Sequence, residues 1–175
     1  MSGSKAVFLD RDGTLMEEVH YCNDPSKVRV YPGVPEALAR LKQAGFLTVI
    51  ITNQAGIGRG LITEAQYQAV EKELFLQIGD RAIDASYFCP DLPGVPSERR
   101  KPAPGMVLEA AADFNIDLSR SWFIGDKSLD VECGRRAGVR TILVMTGYGA
   151  EENCQPDFRA PDVVEAIGIV LGGGE

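Results

Sequence analysis

Two carboxylates, Asp10 and Asp12, stand two residues apart after a short apolar run and are followed by Gly13 and Thr14. An apolar run bounded in this way is typical of a buried strand, so both acids fall just past its end. Ligands of open α/β sheets bind outside the carboxyl ends of the strands, which is where these acids would lie. Asp and Gly are also ordinary turn residues, so the stretch indicates a site only if polar groups follow other strands as well.

Polar groups do follow three later predicted strands. Thr52 and Asn53 come at the end of the second strand, Lys101 follows the third strand and its loop, and Asp126 ends the fourth. Asp130 lies one helical turn after Asp126, where it would either bind the metal itself or orient Lys101 or a metal-bound water. Groups that converge from several strand ends indicate a site far more strongly than one group alone.

This set of residues suits phosphoryl transfer. A phosphatase with a covalent intermediate needs a nucleophile, a proton donor and positive charge around the transferring group. Asp10 would be the nucleophile, and Asp12 would protonate the leaving oxygen and later deprotonate the attacking water. Thr52 would donate a hydrogen bond to a phosphoryl oxygen, and Lys101 would neutralise its charge. Because carboxylates repel each other, we expect a divalent cation between Asp10, Asp126 and the phosphate, and hard oxygen ligands suit Mg²⁺.

The elements that would position these residues alternate between strands and helices. The predicted strands span 6–10, 46–52, 84–89, 121–125 and 139–145, and the predicted helices span 32–44, 63–78, 105–115, 129–137 and 163–171. This order predicts an α/β fold with right-handed crossovers, a Rossmann-like three-layer sandwich around a mainly parallel sheet of five strands or slightly more. The 175 residues fit a single domain, 1–175, and the connections leave no room for a cap domain.

Composition narrows the class of ligand. The net charge of -7 argues against nucleic acid, which is recognised by a basic surface.

The sequence shows no signal peptide and no apolar run that could span a membrane, so we expect a cytoplasmic protein without a membrane partner. The four cysteines are scattered and would be reduced thiols in that compartment. No long exposed apolar helix is evident, and we expect a monomer.

The motifs resemble those of the haloacid dehalogenase superfamily over nearly the whole chain. Its four motifs match residues 10–14 (Asp-Arg-Asp-Gly-Thr), Thr52, Lys101 and 125–130, in this order. A second aspartate two residues after the first is typical of the superfamily's phosphatases, whereas its ATPases have a threonine there. The resemblance therefore implies a Mg²⁺-dependent phosphatase. Its metal ligands would be Asp10, Asp126 and the backbone carbonyl of Asp12.

Finer matches are similar to a capless subgroup that has two activities. Segments 52–60, 89–90 and 99–106 resemble those of D-glycero-D-manno-heptose 1,7-bisphosphate 7-phosphatases and of histidinol-phosphatases. Loop 18–21 and the arginine beside Lys101 are closer to the heptose enzymes, whose product would feed lipopolysaccharide or another surface glycan. The substrate-binding residues in this interpretation are Glu18, Val19, His20, Tyr21, Asn53, Gln54, Arg59, Arg100 and Lys127. The alternatives are a histidinol-phosphatase, another small phosphomonoester phosphatase, or a non-catalytic phosphosugar-binding protein.

One loop departs from the subgroup's pattern. Many members bind zinc there through three cysteines and a histidine. Here Cys89 matches the first ligand, Asp91 stands at the histidine position, and the later cysteine positions fall around residues 97 and 99, which are serine and arginine. A structural zinc site needs four ligands, so we expect no zinc. The loop would then be held by packing and by Pro93 and Pro96.

Overall fold

Six parallel strands form the sheet at the centre of the structure, a computed structural model that describes residues 3–174. The strands are β1 (Ala6–Leu9), β2 (Leu47–Asn53), β3 (Ala85–Cys89), β4 (Trp122–Gly125), β5 (Arg140–Val144) and β6 (Phe158–Ala160). They pair in the order β3-β2-β1-β4-β5-β6. The helices are α1 (Val34–Gln43), α2 (Ala55–Gly58), α3 (Glu64–Ile78), α4 (Gly105–Phe114), α5 (Ser128–Ala137) and α6 (Val163–Leu171).

The predicted α/β architecture is confirmed, with two additions. The edge strand β6 has only three residues, which is too short to show the alternation that identifies a strand. Helix α2 is a four-residue turn with two glycines, and glycine is a poor helix former, so the sequence indicated a loop there. Among residues 3–174, no helix is both long and apolar enough to cross a membrane.

Helices cover both faces of the sheet and produce three layers. Side chains alternate along β1: Val7 and Leu9 pack into a core with α1, α3 and α6, whereas Ala6 and Phe8 pack into a second core with α4 and α5. A strand buried on both faces must be apolar at every position, which explains the uninterrupted apolar runs in the sequence.

The register of the central strands brings the polar residues together. Leu9 of β1 lies opposite Ile50 of β2 and Ile124 of β4. The residues that follow these three strands therefore emerge at the same edge of the sheet, since all three strands run in the same direction. The amide of Asp10 donates to the Ile124 carbonyl at 3.0 Å, which continues the β1–β4 pairing up to the first acid.

Candidate active site

A cleft of about 350 Å³ opens at this edge of the sheet. Every residue predicted to be catalytic or to bind substrate lines it. These residues are Asp10, Asp12, Glu18, Val19, His20, Tyr21, Thr52, Asn53, Gln54, Arg59, Arg100, Lys101 and Lys127. The remaining predicted metal ligand, Asp126, does not line the cleft and is fully buried.

A buried lysine joins two of the acids. The Lys101 side chain is 3% exposed, and its Nζ donates to Asp10 Oδ1 at 3.0 Å, to Asp130 Oδ1 at 2.6 Å and to the Ile51 carbonyl at 2.9 Å. Burial disfavours the charged amine, but the two carboxylates outweigh burial and raise the pKa of Lys101. The lysine is therefore a fixed positive charge beside Asp10.

The backbone of the same lysine is held separately by Asn53. The Lys101 amide donates to Asn53 Oδ1 at 3.0 Å, and Asn53 Nδ2 donates to the Lys101 carbonyl at 3.1 Å. Asn53 lines the cleft, as predicted for a substrate-binding residue, but its amide group is hydrogen-bonded to Lys101 in the structure. Lys101 is thus fixed at both its backbone and its amine.

Three buried carboxylates face one another beneath the lysine. One ligand atom each of Asp10, Asp126 and Asp130 lies within 4.8 Å of the others. Burial, and then the charges of Asp10 and Asp130, raise the pKa of Asp126 to about 9. Asp130 accepts hydrogen bonds from Lys101 Nζ and, at 3.1 Å, from the Lys127 amide, so its carboxylate orients the lysine. A cluster of crowded oxygen donors of this kind suits a hard divalent cation.

Asp12 is held by a residue that the sequence analysis did not select. The guanidinium of Arg11 donates to both oxygens of Asp12, at 3.1 and 3.3 Å, and is only 1% exposed. Arg11 also packs over the ring of Tyr67, with 5.1 Å between the guanidinium carbon and the ring centroid. The sequence feature that could have identified Arg11 is its position between two acids. That feature was not enough, because an arginine in a turn is normally solvated.

Gln54 links Asp12 to Thr52. Its Nε2 donates to Asp12 Oδ2 at 3.0 Å and to Thr52 Oγ1 at 2.9 Å. Because the Thr52 hydroxyl accepts this bond, its own hydrogen remains free to donate to a ligand in the cleft.

A second group of cations lies in the cleft, formed by Arg59 and Arg100. Burial lowers the pKa of Arg100, and the neighbouring charge of Arg59 lowers it further. The two guanidinium groups line the same cleft and carry like charges that repel, and a doubly charged anion between them would remove the repulsion.

Glu18 has an unsatisfied atom at the same cleft. Its Oε2 is buried and has no hydrogen-bond partner among residues 3–174. Burial, and then the charge of Asp12, raise the pKa of this carboxyl group. A buried polar atom without a partner is unusual in a folded protein, and a polar ligand would satisfy it.

Two cleft residues come from the segment after β5, which the sequence analysis left without a role. The Tyr148 amide donates to Asp126 Oδ2 at 3.0 Å, and the Tyr148 ring lies 4.8 Å from Lys127 Nζ. Glu152 accepts from the Ser128 amide at 3.1 Å. The signal that could have found them is the carboxyl end of β5, which meets the same edge of the sheet as the acids.

The loop between β3 and Lys101 is held differently from the prediction. Pro93 and Pro96 are exposed, so they do not anchor it. Arg99 donates to Glu109 at 2.7 and 3.2 Å and to the Phe88 carbonyl at 3.0 Å, and the Ser97 hydroxyl bonds to other residues of the loop. Polar contacts therefore hold the loop where we expected the two prolines to do so.

Comparison with known proteins gives one consistent result. The family described as HAD-hydrolase-like matches residues 98–168. The D-glycero-D-manno-heptose-1,7-bisphosphate 7-phosphatase of Chlorobaculum tepidum is 40% identical, over 98% of this chain and 97% of that protein. The D-glycero-beta-D-manno-heptose-1,7-bisphosphate 7-phosphatase of Escherichia coli K12 is 38% identical, over 81% of this chain and 80% of its own.

A solved structure agrees with these relatives. The D,D-heptose 1,7-bisphosphate phosphatase of B. bronchiseptica, complexed with magnesium and phosphate, superimposes with a TM-score of 0.89 at 29% identity. The match covers 97% of this chain and 99% of that one.

Proposed function

Since the chain belongs to the haloacid dehalogenase superfamily of phosphatases, we propose that it removes the C7 phosphate of D-glycero-D-manno-heptose 1,7-bisphosphate. The observation that carries this proposal is the presence of two groups of cations in one cleft. Lys101 and Lys127 lie beside the acids, and Arg59 and Arg100 form the second group. A substrate with two phosphates would satisfy both groups. The relatives named for this substrate support the assignment.

The first chemical step would use Asp10 and Asp12. An Asp10 oxygen attacks phosphorus and forms a P–O bond, while the bond from phosphorus to the C7 oxygen breaks. Asp12 gives its proton to that leaving oxygen. Lys101, together with the free hydrogen of the Thr52 hydroxyl, stabilises the charge on the phosphoryl oxygens.

The second step would reverse the role of Asp12. Its carboxylate takes a proton from water, and the water oxygen attacks phosphorus while the bond to Asp10 breaks. Inorganic phosphate leaves, and both acids return to their starting states. The hydrogen bonds from Arg11 and Gln54 hold the Asp12 carboxylate at the cleft through both steps.

We propose that Mg²⁺ is held by Asp10, Asp126 and the backbone carbonyl of Asp12. The fit rests on the cluster of three buried carboxylates, in which burial, and then the charges of Asp10 and Asp130, raise the pKa of Asp126 to about 9. When bound, the ion would supply positive charge for the carboxylates and the phosphate.

Removal of divalent cations is expected to abolish activity, and Mg²⁺ is expected to restore it. The Gly13→Ala variant should need at least about tenfold more Mg²⁺ for half-maximal activity, because its Cβ would collide with the Asp126 carboxylate, which the Tyr148 amide holds in place. Phosphate release measured across a Mg²⁺ titration after EDTA dialysis tests both statements.

The matched control for this titration is Gly45→Ala. Gly45 has nearly the same positive φ, +80° against +82° at Gly13, but a Cβ there meets no atom within 4 Å. The control therefore reproduces the backbone strain without the collision. Equal Mg²⁺ requirements in the two variants would contradict the proposed site.

The substrate is tested by comparing kcat/KM for three compounds. We expect heptose 1,7-bisphosphate to exceed both heptose 7-phosphate and histidinol phosphate by about 100-fold, because only the bisphosphate brings a second phosphate to Arg59 and Arg100. A preference for histidinol phosphate would overturn the substrate assignment and leave the phosphatase chemistry intact.

A further inference from the structure

The hydroxyl of Ser97 organises residues 91–100, here called the arginine loop. It donates to Asp91 Oδ2 at 2.5 Å and accepts from the amides of Arg99 at 3.2 Å and Arg100 at 3.0 Å. A serine hydroxyl has one hydrogen to donate and two lone pairs that accept. All three are used here, so this one oxygen ties the beginning of the arginine loop to its end.

The Arg100 side chain returns to the same starting residue. Its Nη1 donates to the backbone carbonyl of Asp91 at 3.0 Å. Asp91 therefore contributes its carboxylate to Ser97 and its carbonyl to Arg100. Both the backbone and the guanidinium of Arg100 depend on where Ser97 holds Asp91.

The Arg99 side chain and the whole of Lys101, which follows the loop, are anchored without Ser97. Arg99 pairs with Glu109 of α4, and the two amide bonds of Asn53 fix Lys101. The tip of the loop, residues 93–96, is exposed. Loss of the Ser97 hydroxyl would therefore free Arg100 while leaving Lys101 in place.

We propose that Ser97 is a positioning residue that fixes Arg100 for the second phosphate of the substrate, and so contributes to specificity. This inference rests on the proposed function, because it assigns the second phosphate to Arg100. Ser97 does not touch the reacting atoms. It restricts the Arg100 side chain before the substrate binds. Less rotamer entropy is then lost when Arg100 binds the phosphate.

The test compares heptose 1,7-bisphosphate with heptose 7-phosphate, which lacks only the C1 phosphate. Ser97→Ala is expected to raise KM for the bisphosphate about tenfold, with kcat and the KM for the 7-phosphate nearly unchanged. In an Arg100→Ala background, Ser97→Ala should change KM by less than about twofold, since the two residues act together. Ser97→Thr keeps a hydroxyl and should restore most of the wild-type KM.

The control variant is Val95→Ala in the same loop. Val95 is 51% exposed, and its truncation should leave both KM values unchanged. An equal effect of Ser97→Ala on both substrates, or its full effect in the Arg100→Ala background, would overturn the inference. Both results would show that Ser97 supports the fold in general.

Amide hydrogen exchange separates this inference from the proposed function. The Arg99 and Arg100 amides should exchange faster in Ser97→Ala than in the wild type, whatever the substrate is. Unchanged exchange at both amides would overturn the role of Ser97. A wild-type enzyme that hydrolyses neither heptose phosphate would instead overturn the proposed substrate.

Discussion

Asp10→Asn is expected to release no phosphate above background, a loss of about 10⁴-fold or more in kcat, because it removes the nucleophile. An amide has the shape of the carboxylate and still accepts the Arg11 amide hydrogen bond, which spans 2.9 Å in the wild type. The variant should therefore fold and bind substrate. Phosphate release at saturating substrate measures the effect, and the circular dichroism spectrum checks the fold.

Asp12→Asn is the matched control, because it changes the acid–base residue and keeps the nucleophile. With p-nitrophenyl phosphate, whose leaving group needs little protonation, Asp12→Asn should give a burst of one nitrophenolate per enzyme followed by slow turnover. Asp10→Asn should give no burst. Full phosphate release by Asp10→Asn would contradict the assignment of the nucleophile.

Lys101→Met is expected to lower kcat about 10³-fold and to destabilise the protein. The kinetic loss follows from removing a charge that would face the phosphoryl group. The stability loss, about 3–5 kcal/mol, follows from leaving Asp10 and Asp130 in the interior without their cation. Phosphate release and urea unfolding measure the two effects.

A second substitution separates these two effects. In the double variant Lys101→Met/Asp130→Asn, a neutral amide replaces one of the two carboxylates that have lost their cation. Part of the free energy of unfolding should therefore return, while kcat stays low. Lys127→Met serves as the comparison for the free energy of unfolding, since the Lys127 amine belongs to neither ion pair of Lys101. A Lys101→Met variant with kcat within tenfold of the wild type would contradict the role of Lys101.

The positions of the main site residues could be predicted because they follow apolar runs directly. Asp10, Thr52 and Asp126 each come at or just after the end of a buried strand, and parallel strands bring such ends to one edge. The carboxyl end of β5 places the segment after it at the same edge, but it does not single out Tyr148, because Tyr148 contributes its backbone amide to Asp126 and any residue type offers an amide.

The roles of Arg11 and Ser97 could not be predicted from the sequence for a different reason. The sequence identifies Arg11 as a charged turn residue, and only tertiary packing against Tyr67 reveals that it is buried. Ser97 lies in an irregular loop, where hydrogen bonds between residues follow no periodic pattern. The sequence shows that the later cysteine positions of the loop hold other residues, but it does not show the hydrogen bonds that hold the loop.

The central position of β1 has a consequence for how the protein folds. Asp10 meets Lys101 across 91 residues of chain, Thr14 meets Asp126 across 112, and the Gly13 carbonyl accepts from Thr146 across 133. Contacts of such high sequence separation form slowly, because long loops must close first. A nascent chain that has not yet passed β4 carries Asp10 and Thr14 without Asp126, which follows β4 directly. Enzymatic activity should therefore appear late in refolding, after most secondary structure has formed.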